Sequence, residues 1–310
     1  MQQAIKQTFS ALLISWREQF NSRPIMSAFI LLTLMAIVGM LLMNFLSTHT
    51  SVDPLFLKWA LIGGGVGALS TAMGAAPGLI VKKLPTVTED TMLGMAAGMM
   101  LGASFFSLIL PGIDVGTALT GHALSGVVIV IVGMMGGVLL MLGLDYYLPH
   151  EHQHSGPCGA GHQQVGRVSL FVLAIALHNF PEGMAIGVGY TDGNLAVGIP
   201  LTAAIALQNI PEGLAVVLAL RRINISAGKA VTIAAATGLV EPVGAVMGIF
   251  LSSGLPVSYP LGLGIAAGAM IFVVSHEVIP ETHRNGHQTK ATMGLMGGLF
   301  AIMLLDTLLG

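Results

Sequence analysis

Two almost identical stretches of the chain carry the residues best suited to bind a cation. The first runs from Ala174 to Gly183 and reads AIALHNFPEG, and the second runs from Ala204 to Gly213 and reads AIALQNIPEG. Each contains an imidazole or amide, a second amide, a proline and a carboxylate, within a run apolar enough to cross a bilayer. A carboxylate at that depth costs about 2.5–3.5 kcal/mol on the insertion scale. A bound cation is the simplest compensation for such a cluster.

Helical spacing predicts that the polar residues of each copy share one face. His178 lies four residues before Glu182, and Gln208 lies four residues before Glu212, so each pair is stacked on a helix. The proline of each copy has no N–H, and the carbonyl four residues earlier is therefore expected to lose its helical partner. Kinked helices with freed backbone groups at mid-depth point to substrate sites in transporters.

A third carboxylate, Glu241, precedes Pro242 near the middle of the next apolar run, where Gly238 is expected to lose its hydrogen-bond partner. No Lys or Arg is predicted at this depth, so one or two divalent cations balance the three carboxylates better than protonation does. Two alternatives stay open for these residues: a buried hydrogen-bond network that holds helices together, and a proton relay without metal.

The composition is that of a polytopic membrane protein. Only 8% of the residues are charged and 54% are hydrophobic, whereas soluble proteins carry about 25% charged residues. The net charge of −2 argues against nucleic-acid binding, and the single cysteine, Cys158, excludes an intramolecular disulfide. Apolar runs of about 20 residues predict nine membrane-spanning helices. These runs cover residues 25–46, 57–81, 91–112, 122–148, 168–190, 195–220, 228–253, 259–280 and 291–309.

Positive charge predicts the orientation. With a cytoplasmic N-terminus, cytoplasmic segments hold every Lys and Arg except Lys58, as the positive-inside rule requires. We therefore expect a cytoplasmic tail at 1–24, a first helix at 25–46 and a C-terminus outside. That first run is longer than the apolar part of a typical signal peptide, although a cleaved signal is the alternative.

Small residues predict how the helices pack. Gly94, Gly98 and Gly102 are spaced by four and form one smooth face on the third span, which favours close helix contact. An exposed glycine-rich face also leaves a homodimer open. The fifth and sixth spans are joined by a short loop and are expected to be antiparallel neighbours, so the two motif copies should be related by a pseudo-two-fold axis in the membrane plane.

The motifs HNFPEG and QNIPEG on consecutive spans, followed by Glu241-Pro242, resemble the signature of ZRT/IRT-like (ZIP) divalent-metal transporters. The resemblance covers residues 55–310, and the helix at 25–46 resembles the extra N-terminal helix of the bacterial GufA-type branch. It implies an all-α membrane protein of the bacterial inner membrane, with an eight-helix core, one additional helix and a pseudo-two-fold inverted repeat. It also implies uptake of divalent metal into the cytoplasm by alternating access.

Carried over by position, the resemblance implies a binuclear metal site midway across the membrane, with Glu182 and Glu212 bridging the two metals. Met100 matches a position where a thioether can join one metal, although packing alone explains a methionine there equally well. Many members have His where this chain has Gln208, and a neutral amide lowers the negative charge, so we expect the two metal positions to differ in affinity. The implied ligands are His178, Asn179, Glu182, Gln208, Asn209, Glu212, Glu241 and Met100.

The ligand types limit the metal independently of the resemblance. Imidazole and thioether beside carboxylates suit Zn²⁺, Cd²⁺, Fe²⁺ or Mn²⁺ better than Mg²⁺ or Ca²⁺, and Zn²⁺ is the best match for His and Glu in a small site. Because imidazole and carboxylates must lose protons to bind metal, we expect uptake to weaken as the pH falls. The expected partners are thus divalent metal ions and the lipid bilayer.

Other polar residues lie near the predicted ends of the spans. Asp114, Asp306 and Ser107 are candidates for an external entrance, with ordinary solvated residues as the alternative. His276 and Glu277 are candidates for the cytoplasmic exit. The predicted cytoplasmic loop at 149–167 contains clustered histidines, including His150, His152 and His154, which favour transient metal binding. They are candidates either for accepting metal at the exit or for sensing cytoplasmic metal, and an incidental cluster is the alternative.

Two other functions fit parts of this pattern. A selective metal channel would use the same ligands without alternating access. An intramembrane hydrolase would use Zn²⁺ to activate water, but the chain has no H-E-x-x-H sequence, and a doubled, amide-rich ligand set suits passage of an ion better than catalysis at one open site. We therefore expect no enzyme activity.

Overall fold

The computed structural model describes residues 16–46, 53–152, 156–158 and 167–309. Residues 16–22 are helical. The named helices that follow are α1 (Pro24–Leu46), α2 (Pro54–Ala75), α3 (Thr86–Gly102), α4 (Leu110–Thr120), α5 (Ala123–Tyr147), α6 (Arg167–Gly189), α7 (Leu195–Arg222), α8 (Ala227–Thr237), α9 (Val240–Ser252), α10 (Ser258–Val273), α11 (Ile279–His283) and α12 (Gln288–Leu309). The strands β1 (His150–His152) and β2 (Gly156–Cys158) form a short antiparallel hairpin.

Nine helical segments within the described residues are long and apolar enough to span a membrane. Helices α3 and α4 together form the third of these spans, α8 and α9 the seventh, and α10 and α11 the eighth. The prediction of an all-α membrane protein with nine spans is confirmed, and the hairpin is a minor addition. The third span, Thr86–Thr120, is longer than the predicted 91–112, and the eighth continues to His283 rather than ending near residue 280.

Two of these composite spans contain a π-helical turn at the junction of their helices. Ala103–Ile109 joins α3 to α4, and Val274–Val278 joins α10 to α11. A proline follows each turn, Pro111 in α4 and Pro280 in α11. Because proline lacks an N–H and its ring crowds the preceding turn, the wider π turn lets each span continue past the proline.

The helices after α1 pack in close pairs through glycine. Helix α3 packs against α12, α5 against α10, α2 against α7, and α6 against α9. In the first pair a Cβ atom on Gly98 would lie only 1.9 Å from the carbonyl oxygen of Leu295, and Gly94 and Gly102 also face α12. The predicted glycine face on the third span is therefore a helix contact, since only residues without a side chain allow the two backbones to come so near.

The pairing has the symmetry of an inverted repeat. The second, third and fourth spans correspond in order to the seventh, eighth and ninth, and the fifth corresponds to the sixth. Under this correspondence the α3–α12 pair matches the α5–α10 pair, and the α2–α7 pair matches the α6–α9 pair. The two π turns are exchanged as well. Exchanged spans in the outer groups are five apart in the chain, so they run in opposite directions across the membrane. This is the arrangement of inverted-repeat transporters.

Helix α1 lies on the outside of this arrangement, against α5 and α9. Ile30 packs against Gly143 of α5. At the start of α1, Arg23 donates a hydrogen bond of 2.6 Å to the Tyr146 hydroxyl, and the Tyr147 hydroxyl donates one of 2.6 Å to Ser27. These contacts attach the beginning of α1 to the end of α5, so both lie at the same end of the bundle.

Candidate metal site

The two motif copies lie within α6 and α7, and each helix continues through its proline, Pro181 or Pro211. The glycine that ends each copy permits a close backbone contact with a different helix. A Cβ atom on Gly183 would lie 2.2 Å from the carbonyl oxygen of Glu241 in α9, and one on Gly213 would lie 2.4 Å from that of Thr71 in α2. Thus the glutamate of each Pro-Glu-Gly sequence supplies a carboxylate, and the glycine that follows it packs the same helix closely against a neighbouring helix.

The amides of the second copy are bonded to carboxylates from neighbouring helices. Gln208 Nε2 donates a hydrogen bond of 2.7 Å to Glu182 Oε1, and Asn209 Nδ2 donates one of 3.0 Å to Glu241 Oε1. The Thr71 hydroxyl donates a second bond of 3.0 Å to the same Glu241 oxygen. All four of the site side chains in these bonds are at least 98% buried: Glu182, Gln208, Asn209 and Glu241. The two copies and α9 therefore meet in one buried cluster.

His178 of the first copy faces a carboxylate from a different helix. Its Nδ1 lies 2.8 Å from the carbonyl oxygen of Ala174; since a carbonyl only accepts, Nδ1 carries the hydrogen. The other ring nitrogen, Nε2, lies 3.1 Å from Glu277 Oε2. A neutral ring then directs a lone pair at a carboxylate, which requires a proton or a cation between them. Two ligands of a tetrahedral Zn²⁺, each about 2.1 Å from the metal, are about 3.4 Å apart, close to the observed separation.

Glu212 belongs to both of these groups. Its carboxylate is close enough to His178 and Glu277, and to Glu182 and Glu241, to interact electrostatically with each of them. The cluster therefore contains four carboxylates, one imidazole and three amides. Such a concentration of negative charge in a buried site is unfavourable unless it is compensated.

Unsatisfied oxygen atoms are concentrated in this cluster. Among the described residues, eight buried side-chain nitrogen or oxygen atoms lack a hydrogen-bond partner, and six belong to the predicted metal ligands. They are Asn179 Nδ2, Glu182 Oε2, Gln208 Oε1, Asn209 Oδ1, Glu212 Oε2 and Glu241 Oε2. A buried polar atom without a partner costs about 1–3 kcal/mol. Five of these six atoms are oxygens, which a bound cation would satisfy, whereas Asn179 Nδ2 is a hydrogen-bond donor and does not bind a cation.

The residues fit a metal through a mixed ligand set. In the described part of the chain, no group of three or more His, Cys, Asp or Glu side chains is already arranged around one point as metal ligands. The carboxylates are instead interleaved with amides, as the pairs Glu182–Gln208 and Glu241–Asn209 demonstrate. Metal binding here therefore has to use amide oxygens beside the carboxylates, or requires the side chains to rotate away from these hydrogen bonds.

One expectation from the sequence needs correction. Gly238 keeps a hydrogen-bond partner, because the helix breaks between α8 and α9 and the Glu241 N–H donates to the Gly238 carbonyl at 3.0 Å. Glu277, predicted for the exit, lies beside His178. Its role at the exit stays a prediction.

Sequence reasoning did not identify the contribution of α2. Thr71 bonds to Glu241, and a Cβ atom on Gly67 would lie 1.7 Å from Glu241 Oε2. Glycine at 67 thus leaves room for the carboxylate against the α2 backbone. Neither Thr71 nor Gly67 belongs to a recognisable sequence motif. The sequence does contain a signal for Glu277, because this acid lies three residues before Pro280 in an apolar span, just as Glu241 lies next to Pro242.

Burial does not decide the role of Met100. Its side chain is 2% exposed, and that of the adjacent Met99 is 3% exposed, both within the main hydrophobic core. Such burial suits packing and metal ligation equally, so the thioether ligand stays a prediction.

Three of the residues predicted for the two mouths lie in two corresponding pairs, one of which adds Asp145. Ser107, in the first π turn, donates a hydrogen bond of 2.9 Å to Asp306 near the end of α12. His276, in the second π turn, lies 3.9 Å from Asp145 near the end of α5. The inverted repeat exchanges these pairs and places them at opposite ends of the bundle. Asp114 is on the exposed surface of α4, and its role at the entrance stays a prediction.

The predicted histidine loop is described in part. His150 and His152 lie on β1, where the strand register pairs His150 with Cys158 of β2. His154 lies outside the described residues. The roles of these histidines at the exit stay predictions.

Known proteins resemble this chain over almost its whole length. A family model described as ZIP Zinc transporter matches residues 146–306. The Zinc transporter ZIPB of Bordetella bronchiseptica is 50% identical over 296 residues, which cover 96% of both proteins. The Zinc transporter GufA of Myxococcus xanthus is 39% identical over 251 residues, covering 81% of this chain and 98% of the relative. With matches of this extent and the paired motifs on adjacent helices, the chain belongs to the ZIP family.

Proposed function

We propose that this protein carries Zn²⁺ across the bacterial inner membrane into the cytoplasm through the cluster at His178 and Gln208. The observation that supports this most strongly is the group of five unsatisfied buried oxygen atoms on residues of the two motif copies and Glu241. The relatives named above are zinc transporters by name, rather than hydrolases. Cd²⁺ has similar ligand preferences and is a second substrate under this proposal.

In this proposal the cluster holds two metal ions. One ion takes His178 Nε2 and Glu277, and the other takes the free oxygens of Gln208, Asn209 and Glu241. Glu182 and Glu212 bridge them, a role that agrees with the closeness of Glu212 to both groups. Two divalent ions carry the charge needed to balance the four carboxylates, which favours this stoichiometry over one.

The ions reach and leave this cluster by alternating access. The pairs Ser107–Asp306 and His276–Asp145 form the external entrance and the cytoplasmic exit, and the histidines of β1 receive metal at the exit. The orientation, with the N-terminus in the cytoplasm, follows from the positive-inside rule. The contacts of α1 with α5 are compatible with it, because they place the start of the first span and the end of the fourth at one end of the bundle.

Zinc uptake into liposomes tests the proposal. The purified chain is compared with Glu212→Ala and His178→Ala, and with His122→Ala, an exposed histidine outside the cluster, as the matched control. We expect uptake by both site variants to fall by at least tenfold and uptake by the control to stay at the wild-type rate. Equal uptake by all four proteins would refute the site assignment.

The same assay separates a carrier from a channel. A carrier must change conformation for every transported ion, so we expect the rate to saturate with zinc concentration and to depend steeply on temperature. A rate that stays linear in zinc concentration would support the selective channel instead.

A further inference from the structure

A polar cavity lies at the end of α7, apart from the metal cluster. Its volume is about 480 Å³, and the residues that line it are Lys82, Lys83, Glu89, Leu218, Arg221 and Arg222. Arg221 follows Glu212 by nine residues, which corresponds to roughly 13 Å along the helix. The segment between α2 and α3 supplies the lysines, and α3 supplies Glu89.

The cavity has an excess of positive charge. Arg222 forms an ion pair with Glu89, the one acidic residue of the lining. Arg221 Nη1 donates to the carbonyl oxygens of Gly78 at 3.0 Å and Val81 at 2.8 Å; carbonyls orient the guanidinium without neutralising it. Lys82 and Lys83 are exposed, and neither forms a hydrogen bond or an ion pair with the described residues. Three positive charges therefore lack an opposing charge, which favours an anionic ligand.

One atom of the lining indicates that the ligand also carries a hydrogen-bond donor. Arg222 contacts Glu89 Oε2, whereas Glu89 Oε1 is buried and has no partner among the described residues. A carboxylate oxygen only accepts hydrogen bonds, so the ligand must carry a donor as well as negative charge. A phosphodiester whose alcohol group bears hydroxyls supplies both the negative charge and the donor.

The neighbouring surface is apolar and matches a lipid rather than a soluble phosphate. Leu79 is 55% exposed and Ile80 is 86% exposed, and both directly precede Val81 and the two lysines. The chain thus changes from exposed apolar to exposed cationic side chains within a few residues, as it does where acyl chains meet head groups. Basic pockets between membrane helices are known head-group sites.

We propose that this cavity binds the head group of an anionic glycerophospholipid, with the phosphodiester near Lys82, Lys83 and Arg221 and a head-group hydroxyl donating to Glu89. The acyl chains lie against Leu79 and Ile80. By the positive-inside rule the cavity faces the cytoplasmic leaflet. The lipid also bridges the α2–α7 pair to α3, because Glu89 belongs to α3 and the arginines end α7.

Native mass spectrometry of the full chain tests this proposal. The protein is released from nanodiscs containing equal amounts of phosphatidylglycerol and phosphatidylcholine, and the retained lipid is counted. The test variant carries Lys82→Gln and Lys83→Gln. The matched control carries Lys58→Gln and Lys229→Gln, which remove two exposed lysines outside the cavity. Thermal unfolding confirms that both double variants are folded.

We expect the wild type and the control to retain phosphatidylglycerol in at least tenfold preference to phosphatidylcholine, and the Lys82/Lys83 variant to lose most of this preference. Equal retention of the two lipids by the wild type, or an unchanged preference in the test variant, would overturn the proposal. Displacement of the lipid by millimolar glycerol 3-phosphate would assign the cavity to a soluble phosphate instead. Zinc uptake measured on the same proteins reports separately on the metal cluster.

Discussion

His178 and Gln208 occupy the same position in two copies of one motif, but they contact different partners. His178 Nε2 faces Glu277, which comes from α10–α11 and lies outside the paired motifs, whereas Gln208 Nε2 donates to Glu182 of the other copy. The next residue differs in the same way, because Asn209 bonds to Glu241 while Asn179 Nδ2 has no partner among the described residues. The amide nitrogens of the second copy are thus held by carboxylates, whereas the Asn179 amide nitrogen of the first copy is not.

Under the proposed function, this difference is a reason for the two proposed metal positions to differ in affinity. The repeat exchanges α9 with α2, and where the glycine of the first copy meets Glu241, the glycine of the second copy meets Thr71. One half therefore supplies a carboxylate where the other supplies a hydroxyl, and the hydroxyl bonds to that same carboxylate. A nearly symmetric backbone carries an asymmetric set of ligands.

The largest effect is expected from the feature that both copies share, their final glycine. Alanine at 183 or 213 would place a Cβ atom 2.2 or 2.4 Å from a backbone oxygen, and overpacking of this kind costs about 1–3 kcal/mol. We expect Gly183→Ala and Gly213→Ala to lower the thermal unfolding midpoint in detergent by similar amounts. Gly297→Ala, where no atom lies within 4 Å of the new Cβ, is the control and should melt like the wild type; a stable Gly183→Ala variant would contradict the packing.

Exchanging the side chains of His178 and Gln208, which occupy the same position in the two motif copies, tests directly whether the copies differ in zinc affinity. His178→Gln removes the imidazole, and we expect the tighter zinc affinity to fall about 100-fold, at the upper end of losses for changes near a metal. Gln208→His supplies an imidazole to the other half and should strengthen the weaker position about tenfold. Calorimetric zinc titration of the purified proteins measures both changes. Two equal sites in the wild type would contradict the proposed inequality.

The contact of Glu277 with His178 predicts an intermediate effect. Glu277→Gln keeps the size of the side chain but removes its charge, so we expect the affinity of the His178 position to fall about tenfold, the value of one good charged contact. The same titration measures it, with Glu18→Gln, an exposed residue before α1, as the control. If Glu277→Gln binds zinc as tightly as the wild type, Glu277 belongs to the exit alone, as the sequence had indicated.

The smallest effect is expected from Thr71, which touches the site through Glu241. Thr71→Val preserves the shape and removes one hydrogen bond to Glu241 Oε1, which is worth about 1 kcal/mol. We expect the weaker zinc affinity to change about fivefold. Thr237→Val is the matched control, because the Thr237 hydroxyl is equally buried but bonds only to Ala234 of its own helix. Equal effects of the two variants on zinc affinity would contradict a role of the Thr71 hydroxyl in zinc binding.

The sequence by itself determined the spans, the family and most of the residues proposed as metal ligands. Composition and run length are sufficient for the spans, since a bilayer requires about 20 apolar residues for each crossing. The paired motifs identify the family, and their spacing of four residues stacks His178 on Glu182 and Gln208 on Glu212 before any tertiary contact is known. The residues Asn179, Asn209 and Glu241 follow from the same motifs.

Only the tertiary structure decided which groups these ligands face. The contact between His178 and Glu277 depends on the length and the π turn of the eighth span, and the contact between Thr71 and Glu241 depends on the approach of α2 to α9. Local sequence patterns do not predict either contact, because His178 and Glu277 are separated by 99 residues and Thr71 and Glu241 by 170. The sequence therefore specified two similar motifs, and the packing of the other helices around them made their surroundings different.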